Sequence, residues 1–150
     1  MTREEKCKLA IERGFTYDSK TGFVYNRYGK ISKSIHIKGY IQIQITLNKK
    51  NYHLLAHHFA WYWLYKECVE EIDHINGIRN DNRICNLRSI TNQQNQWNRT
   101  TAKGFFWHKI AKKWNASIGV NYKVIHLGSF NTEQEARTAY LQAKEKYHII

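Results

Sequence analysis

The clearest periodicity in the chain lies in GYIQIQITL (39–47). Here Ile41, Ile43, Ile45 and Leu47 fall on one side, and Gln42, Gln44 and Thr46 fall on the other. A strict period of two predicts a half-buried strand. The period changes in HLLAHHFAWYWLYKE (53–67), where Leu55, Phe59 and Tyr62 stand at helical spacing. Upstream, Thr2 and Glu5 have the spacing of a capping box for a short helix that Gly14 ends. Short aromatic runs from Phe15 to Tyr28 flank Lys20–Gly22 and read as a hairpin. Downstream, Asp73 and His74 end a short strand, Asn76–Gly77 turn the chain, and ICNLRSI returns it. Thr91 and Gln94 then cap a short helix carrying Asn95 and Asn98.

The last third of the chain has a rhythm of its own. Residues 100–103, TTAK, read as a linker. Beyond them GFFWHK, WNASIGV and VIHLGSF are three strand-like runs, and a helix follows from Thr132 to about Tyr147, opened by a Thr132/Glu135 capping box. The inner face of that helix, Ala136, Ala139, Tyr140 and Ala143, is mainly alanine and allows close approach to a sheet. Period-two alternation puts Phe105, Trp107, Ala116, Ile118, Ile125 and Leu127 against the helix. Phe106, His108, Asn115, Ser117, Gly119 and His126 then face outward.

Charge changes the picture from fold to partner. The 150 residues hold 24 Lys plus Arg against 12 Asp plus Glu, for a formal charge of +12. Residues 1–102 account for +7 of this and residues 103–150 for +5. A polyanion is therefore the first partner to consider, because neutralising phosphates releases condensed counterions. The glutamine face of 39–47 reads either as plain solvent exposure or as a DNA contact. The charged start, MTREEKCKLAIERG, contains no apolar run for a signal peptide. No stretch approaches the ~20 apolar residues of a membrane span. Cys7, Cys68 and Cys85 are odd in number and form no Cys-x-x-Cys pair, which fits reduced thiols in a cytoplasmic, non-secreted protein. His53 and His57 stand four apart, as paired metal ligands would. No acidic residue lies on that face, however, and a packed, hydrogen-bonded histidine explains the spacing as well.

The stretch IDHINGIRNDNRICNLR (72–88) sets an acid and a base side by side at the end of an apolar run. Hydrolysing a phosphodiester requires a nucleophile, charge neutralisation on the phosphate and stabilisation of the leaving oxygen. An imidazole removes a proton from water near neutral pH, and a hard divalent cation takes oxygen donors such as a carboxylate and an Asn carbonyl. Asp73, His74 and Asn95 thus form a sufficient kit for one-metal cleavage. Taken alone, an Asp-His pair is equally a surface hairpin rich in Asn turns.

In their spacing, Asp73, His74, Asn86 and Asn95, with the flanking DHINGIRNDNRICNLR and TNQQNQWNR, resemble the HNH nucleases (the ββα-metal fold) in their phage and homing-endonuclease branch. The resemblance implies that His74 is the general base and Asp73 a metal ligand. It implies that Asn86 pins the loop between the strands and that Asn95, on the helix, completes a site for Mg2+ or a similar cation such as Mn2+. Many HNH proteins have His where this chain has Asn95, and the amide leaves an oxygen donor suited to magnesium. The upstream YDSKTGFVYNR, GYIQIQI and AHHFAWYW look like the segment that commonly precedes this motif, with His57 at the matching histidine and His58 where Arg is usual. Zinc-bearing relatives use Cys pairs absent here, so no structural zinc is implied.

Residues 104–147, through GFFWHK, KKWNASI, HLGSF and TEQEARTAY, resemble the plant ethylene-response-factor DNA-binding domain (the APETALA-two fold). That resemblance implies a three-stranded sheet entering the major groove, backed by a helix. The plant domains carry several Arg on the outer face, where this chain has Phe106, Ser117 and Gly119. Lys103, Lys109, Lys112, Lys113 and Lys123 are phosphate contacts in this reading, with Arg79 and Arg83 beside the acid-base pair. The expectation is an α+β protein of two modules, an HNH nuclease over 1–99 with a β-rich start and a DNA reader over 104–150. It acts on double-stranded DNA. One catalytic set per chain implies nicking by a monomer or double-strand cleavage by a homodimer of restriction type. The competing class is a DNA-binding protein without activity.

Overall fold

The computed structural model describes residues 1–97 and 103–148, so Asn98 and most of the expected linker lie outside the described residues. The protein is α+β, with four α-helices and ten strands among the described residues, every strand pair antiparallel. It divides into two compact units, Met1–Ile90 and Thr91–Ile150.

In the first unit, α1 (Arg3–Glu12) starts on the expected capping box. Thr2 Oγ1 accepts from Glu5 N–H at 3.2 Å, and Glu5 Oε2 accepts from Thr2 N–H at 2.6 Å. Two short strands, β1 (Thr16–Tyr17) and β2 (Val24–Tyr25), form the expected hairpin. The strands β3 (Ser34–Ile35), β4 (Ile41–Leu47) and β5 (Lys50–Leu55) make a sheet in the order β3-β4-β5. A two-residue turn joins β4 to β5, with Asn48 and Lys49 both at positive φ, the hand that matches strand twist. Ile43 and Ile45 are buried while Gln44 and Thr46 are exposed, as the alternation demands.

Helix α2 (Ala56–Tyr65) follows β5 directly and ends at Lys66, which adopts a left-handed cap. Its Phe59 is fully enclosed with Ile43, Ile45, Val24 and Cys7, and these side chains are the centre of the unit's core. The candidate metal pair His53/His57 does not form. His53 lies on β5 and is exposed, whereas His57 lies on α2 and is buried, because the helix begins three residues after His53. The hairpin β6 (Glu71–His74) and β7 (Leu87–Ile90) completes the unit, with Asp73 opposite Arg88 and His74 opposite Leu87.

The second unit begins with α3 (Asn92–Trp97), capped by Thr91 and Gln94 in reciprocal hydrogen bonds of 2.9 and 3.2 Å. Its strands β8 (Phe105–His108), β9 (Lys113–Val120) and β10 (Lys123–Phe130) form a sheet in the order β10-β9-β8. Helix α4 (Glu133–Tyr147) opens with the Thr132/Glu135 capping box and buries Ala136, Tyr140 and Ala143. Ile118 is buried in the same cluster, with Ile125 and Leu127 packed against it. A bulge between His126 and Gly128 brings two successive residues opposite one, a break that strict alternation does not show. Trp107 departs from its expected burial. It is 44% exposed and packs its ring on Trp114, 5.4 Å away, at a cross-strand position.

Phe59→Ala is expected to destabilise the first unit by about 3–5 kcal/mol, since a fully enclosed aromatic leaves a cavity that its neighbours fill only in part. Urea unfolding followed by tryptophan fluorescence measures it.

Candidate active site

The loop between β6 and β7 is built from turns rather than a ladder. Gly77 N–H bonds the His74 carbonyl at 2.8 Å, Asp81 N–H bonds Ile78 at 3.1 Å, and Asn86 N–H bonds Arg83 at 2.9 Å. Asn86, buried at 6% exposure, ties these turns together with its amide. Its Oδ1 accepts from Asn76 N–H at 2.9 Å, and its Nδ2 donates to the Asp81 carbonyl at 2.8 Å and to Asn76 Oδ1 at 2.9 Å. Asp81 braces the loop from outside. It accepts from Asn76 Nδ2 at 2.8 Å and from the Arg83 guanidinium at 2.6 and 2.8 Å. That guanidinium holds the Asp81 carboxyl well below the usual carboxylate range.

His74 is buried at the end of β6, and its Nε2 lies 2.8 Å from Asn82 Oδ1. Asn82 is itself only 2% exposed, and its carbonyl accepts from the Tyr17 hydroxyl at 2.6 Å. The His74 ring meets His57 edge-on at a centroid distance of 5.1 Å and Tyr40 at 5.8 Å. His57 in turn lies 4.6 Å from His58. Burial depresses His57 to about 2, with the neighbouring imidazoles adding to the effect, and depresses His58 to about 4. Both are therefore neutral around His74 at ordinary pH. His58, where an Arg phosphate contact is usual, is buried and uncharged here.

Asp73 is on the neighbouring position of β6, and its Oδ2 accepts from Arg88 Nε at 2.8 Å and lies 2.6 Å from Arg88 Nη2. This cross-strand pair fixes the carboxylate beside the imidazole. Among the described residues no group of three or more His, Cys, Asp or Glu is placed to hold a metal. Asp73 supplies one carboxylate, a hard oxygen donor of the kind a cation with a largely water and phosphate shell takes. Asn95, expected as a further donor, is an exposed residue of α3 in the second unit.

The expected DNA contacts divide into available and engaged groups. In the second unit Phe106, Asn115, Ser117 and His126 share the outward sheet face, by the pairings Phe106–Asn115 and Ser117–His126, and Phe106 is 53% exposed. Asn115 Oδ1 accepts from Ser129 Oγ at 2.7 Å, and His108 Nδ1 accepts from Ala111 N–H at 3.1 Å. Lys103, Lys109, Lys112 and Lys113 are exposed. In the first unit Arg83 is largely occupied by Asp81, whereas Arg79 donates to the Lys38 carbonyl at 2.7 Å and lies over the Tyr40 ring. Residue spacing did not single out Asn82, Arg88, Tyr40 or Tyr17. Asn82 is one of four asparagines from 76 to 86, and nothing in the order of residues tells the one that meets His74 from the others.

The two depressed histidines fix a pH dependence. Their folded pKa values lie below the ordinary 6.5, so the unfolded chain binds more protons between the two values. Stability is full above about 6.5 and falls as pH drops toward 4 and below, at about 1.4 kcal/mol per pH unit for each differing proton. Denaturant unfolding from pH 7.5 to 4.5 is expected to show that slope, and His58→Phe to flatten it.

Residues 55–97 match the HNH endonuclease family. Among solved structures, the chain is similar to the one titled "DNA binding and cleavage by the HNH homing endonuclease I-HmuI", at 27% sequence identity and a TM-score of 0.48. The likeness covers 56% of this chain and 50% of that one, so the chain spans half the length of its structural relative. No curated protein matches. The family match takes in α2, the β6–β7 hairpin with Asp73, His74 and Asn86, and α3 with Asn95.

Proposed function

We propose that the protein is a homing-type endonuclease, of the kind encoded by phages, that hydrolyses a phosphodiester of duplex DNA with His74 as general base. The observation that carries this reading is the β6 terminus. A buried imidazole with one nitrogen engaged by Asn82 sits next in sequence to a carboxylate paired with Arg88, inside the HNH match. His74 takes the proton of an attacking water, and Asp73 is the protein carboxylate for a divalent cation, Mg2+ by the hardness of its oxygen donors. The resemblance carried by 72–88 and 91–99 implies the Asn95 carbonyl as a further donor. When bound, the cation supplies charge neutralisation on the phosphate. Asn86 holds the loop so that Asp73 and His74 keep their positions.

Residues 104–147 supply the main hold on DNA as a domain like the APETALA-two fold. The exposed Phe106, the outward polar residues and the lysines at strand ends support this role. Lysine contacts to phosphate position the duplex and carry no base information, so the lost arginines of the plant domains leave a different or weaker readout. The first unit is also positive. From Ser19 to Lys66 the chain has eight Lys and Arg and no acidic residue.

His74→Ala is expected to lose about 10²–10⁴-fold in the rate of converting supercoiled plasmid to the nicked form, with DNA affinity retained. Asp73→Ala is expected to lose both cleavage and its dependence on added Mg2+. Wild-type rates in both variants would refute the assignment. Replacing Lys112 and Lys113 together by Gln is expected to lower the magnitude of the log Kd against log salt slope by about 0.9 per lost phosphate contact. Fluorescence anisotropy across a salt series measures it.

A further inference from the structure

We infer that Asn82 is a positioning residue for His74, and that the hairpin of β1 and β2 holds Asn82 in place so that the imidazole carries its proton on Nε2 and presents an unprotonated Nδ1. The inference rests on the reading of His74 as the base. A neutral imidazole has two tautomers, and only the nitrogen without a proton accepts one. A carbonyl oxygen accepts and never donates, so Asn82 Oδ1 at 2.8 Å from Nε2 requires the proton to be on that nitrogen. The bond is enclosed, with His74 at 5% and Asn82 at 2% exposure, so water does not compete for either atom.

Such a bond selects a tautomer only if the amide cannot swing or flip, and the structure restrains its backbone from several sides. Tyr17, 65 positions away in sequence, donates its hydroxyl to the Asn82 carbonyl at 2.6 Å. Burial pushes the Tyr17 phenol up, so it remains a donor at any working pH. Ile84 N–H bonds the Ser19 carbonyl at 3.2 Å, and at Gly22 (φ +77°) a Cβ would lie 2.4 Å from Arg83 N and 2.6 Å from Asn82 C. The turn of the hairpin is thus seated on the peptide that follows Asn82. From the other side Asn86 Nδ2 holds the Asp81 carbonyl at 2.8 Å. The β1–β2 segment precedes the HNH match, which starts at residue 55, so the family match by itself gives it no part in the chemistry.

The test uses the full-length protein without added metal, at about pH 8, above the ordinary imidazole range. Long-range 1H–15N correlation of ring nitrogens, with His74 identified from the His74→Ala spectrum, reads the tautomer independently of activity. The expected spectrum shows a protonated Nε2 and a bare Nδ1. A protonated Nδ1 overturns the inference while leaving the base reading to stand or fall on the nicking rate of His74→Ala. Asn82→Asp keeps the acceptor oxygen and is expected to keep the tautomer. Asn82→Leu removes the oxygen and is expected to mix the tautomers and lower turnover at saturating DNA by roughly 10²-fold, with KM unchanged. Tyr17→Phe leaves the amide in place but unheld, and is expected to broaden the His74 signals and lower turnover in the same direction. If Asn82→Leu is unfolded by circular dichroism, the Asn82→Asp and Tyr17→Phe spectra decide. An unaltered Tyr17→Phe spectrum at wild-type turnover overturns the part assigned to the hairpin.

Discussion

The geometry of the site depends on one amide. Beyond the Ile75 N–H to Asn86 carbonyl bond of 2.9 Å, the segment from Asn76 to Cys85 leaves the β6–β7 ladder, and any peptide group buried there must find a partner or cost ~1–3 kcal/mol. Asn86 meets that requirement from the end of the loop, where its Oδ1 accepts from the Asn76 N–H and its Nδ2 donates to the Asp81 carbonyl. An aspartate at this position would lose the donor and a leucine would lose both. Because Asn76 and Asp81 are fixed in this way, the chain turns within three residues of His74 and returns as β7, which places Arg88 opposite Asp73. The acid, the base and their partners therefore follow from how a short loop satisfies its own backbone.

Electrostatics at the site are arranged by burial as much as by charge. His57 and His58 contribute bulk and no charge, because desolvation keeps both imidazoles neutral. The ion pair of Arg88 with Asp73 lies across the strands at 2.6 Å and is partly shielded from water. The carboxylate is thus paired with a guanidinium across the strands, while the imidazole beside it is held by a neutral amide. The arrangement lets Asp73 and His74 be adjacent in sequence yet belong to different hydrogen-bond networks.

The second unit solves a different problem with small side chains. Ala136 and Ala143 let α4 lie close to the three-stranded sheet, and Ile118 and Tyr140 fill the space that remains. Gly104, at φ +70°, allows the chain to pass the Tyr140 ring where a Cβ would stand 2.0 Å from it. A sheet backed in this way leaves its other face free of core duties. That face can carry Phe106, Ser117 and His126 without loss of stability.

Much of this was legible in the order of residues. The strict alternation of 41–47, the capping boxes at Thr2, Thr91 and Thr132, and the alanine stripe of α4 are local signals, set by backbone periodicity and by side chains reaching three residues away. Asp73, His74 and Asn86 were legible for the same reason, since strand end, turn and return are neighbours in sequence. The place of His53 was not, because a strand running straight into a helix hides the change of period that separates it from His57. Neither was Trp107, whose exposure depends on how far the helix reaches along the sheet. Asn82 lies furthest from what the sequence determines. Its importance comes from being the one of four similar asparagines whose side chain meets the imidazole, and from a tyrosine hydroxyl 65 residues away. Burial and long-range hydrogen bonds are properties of the packed chain, so only the tertiary structure decided which asparagine faces the histidine.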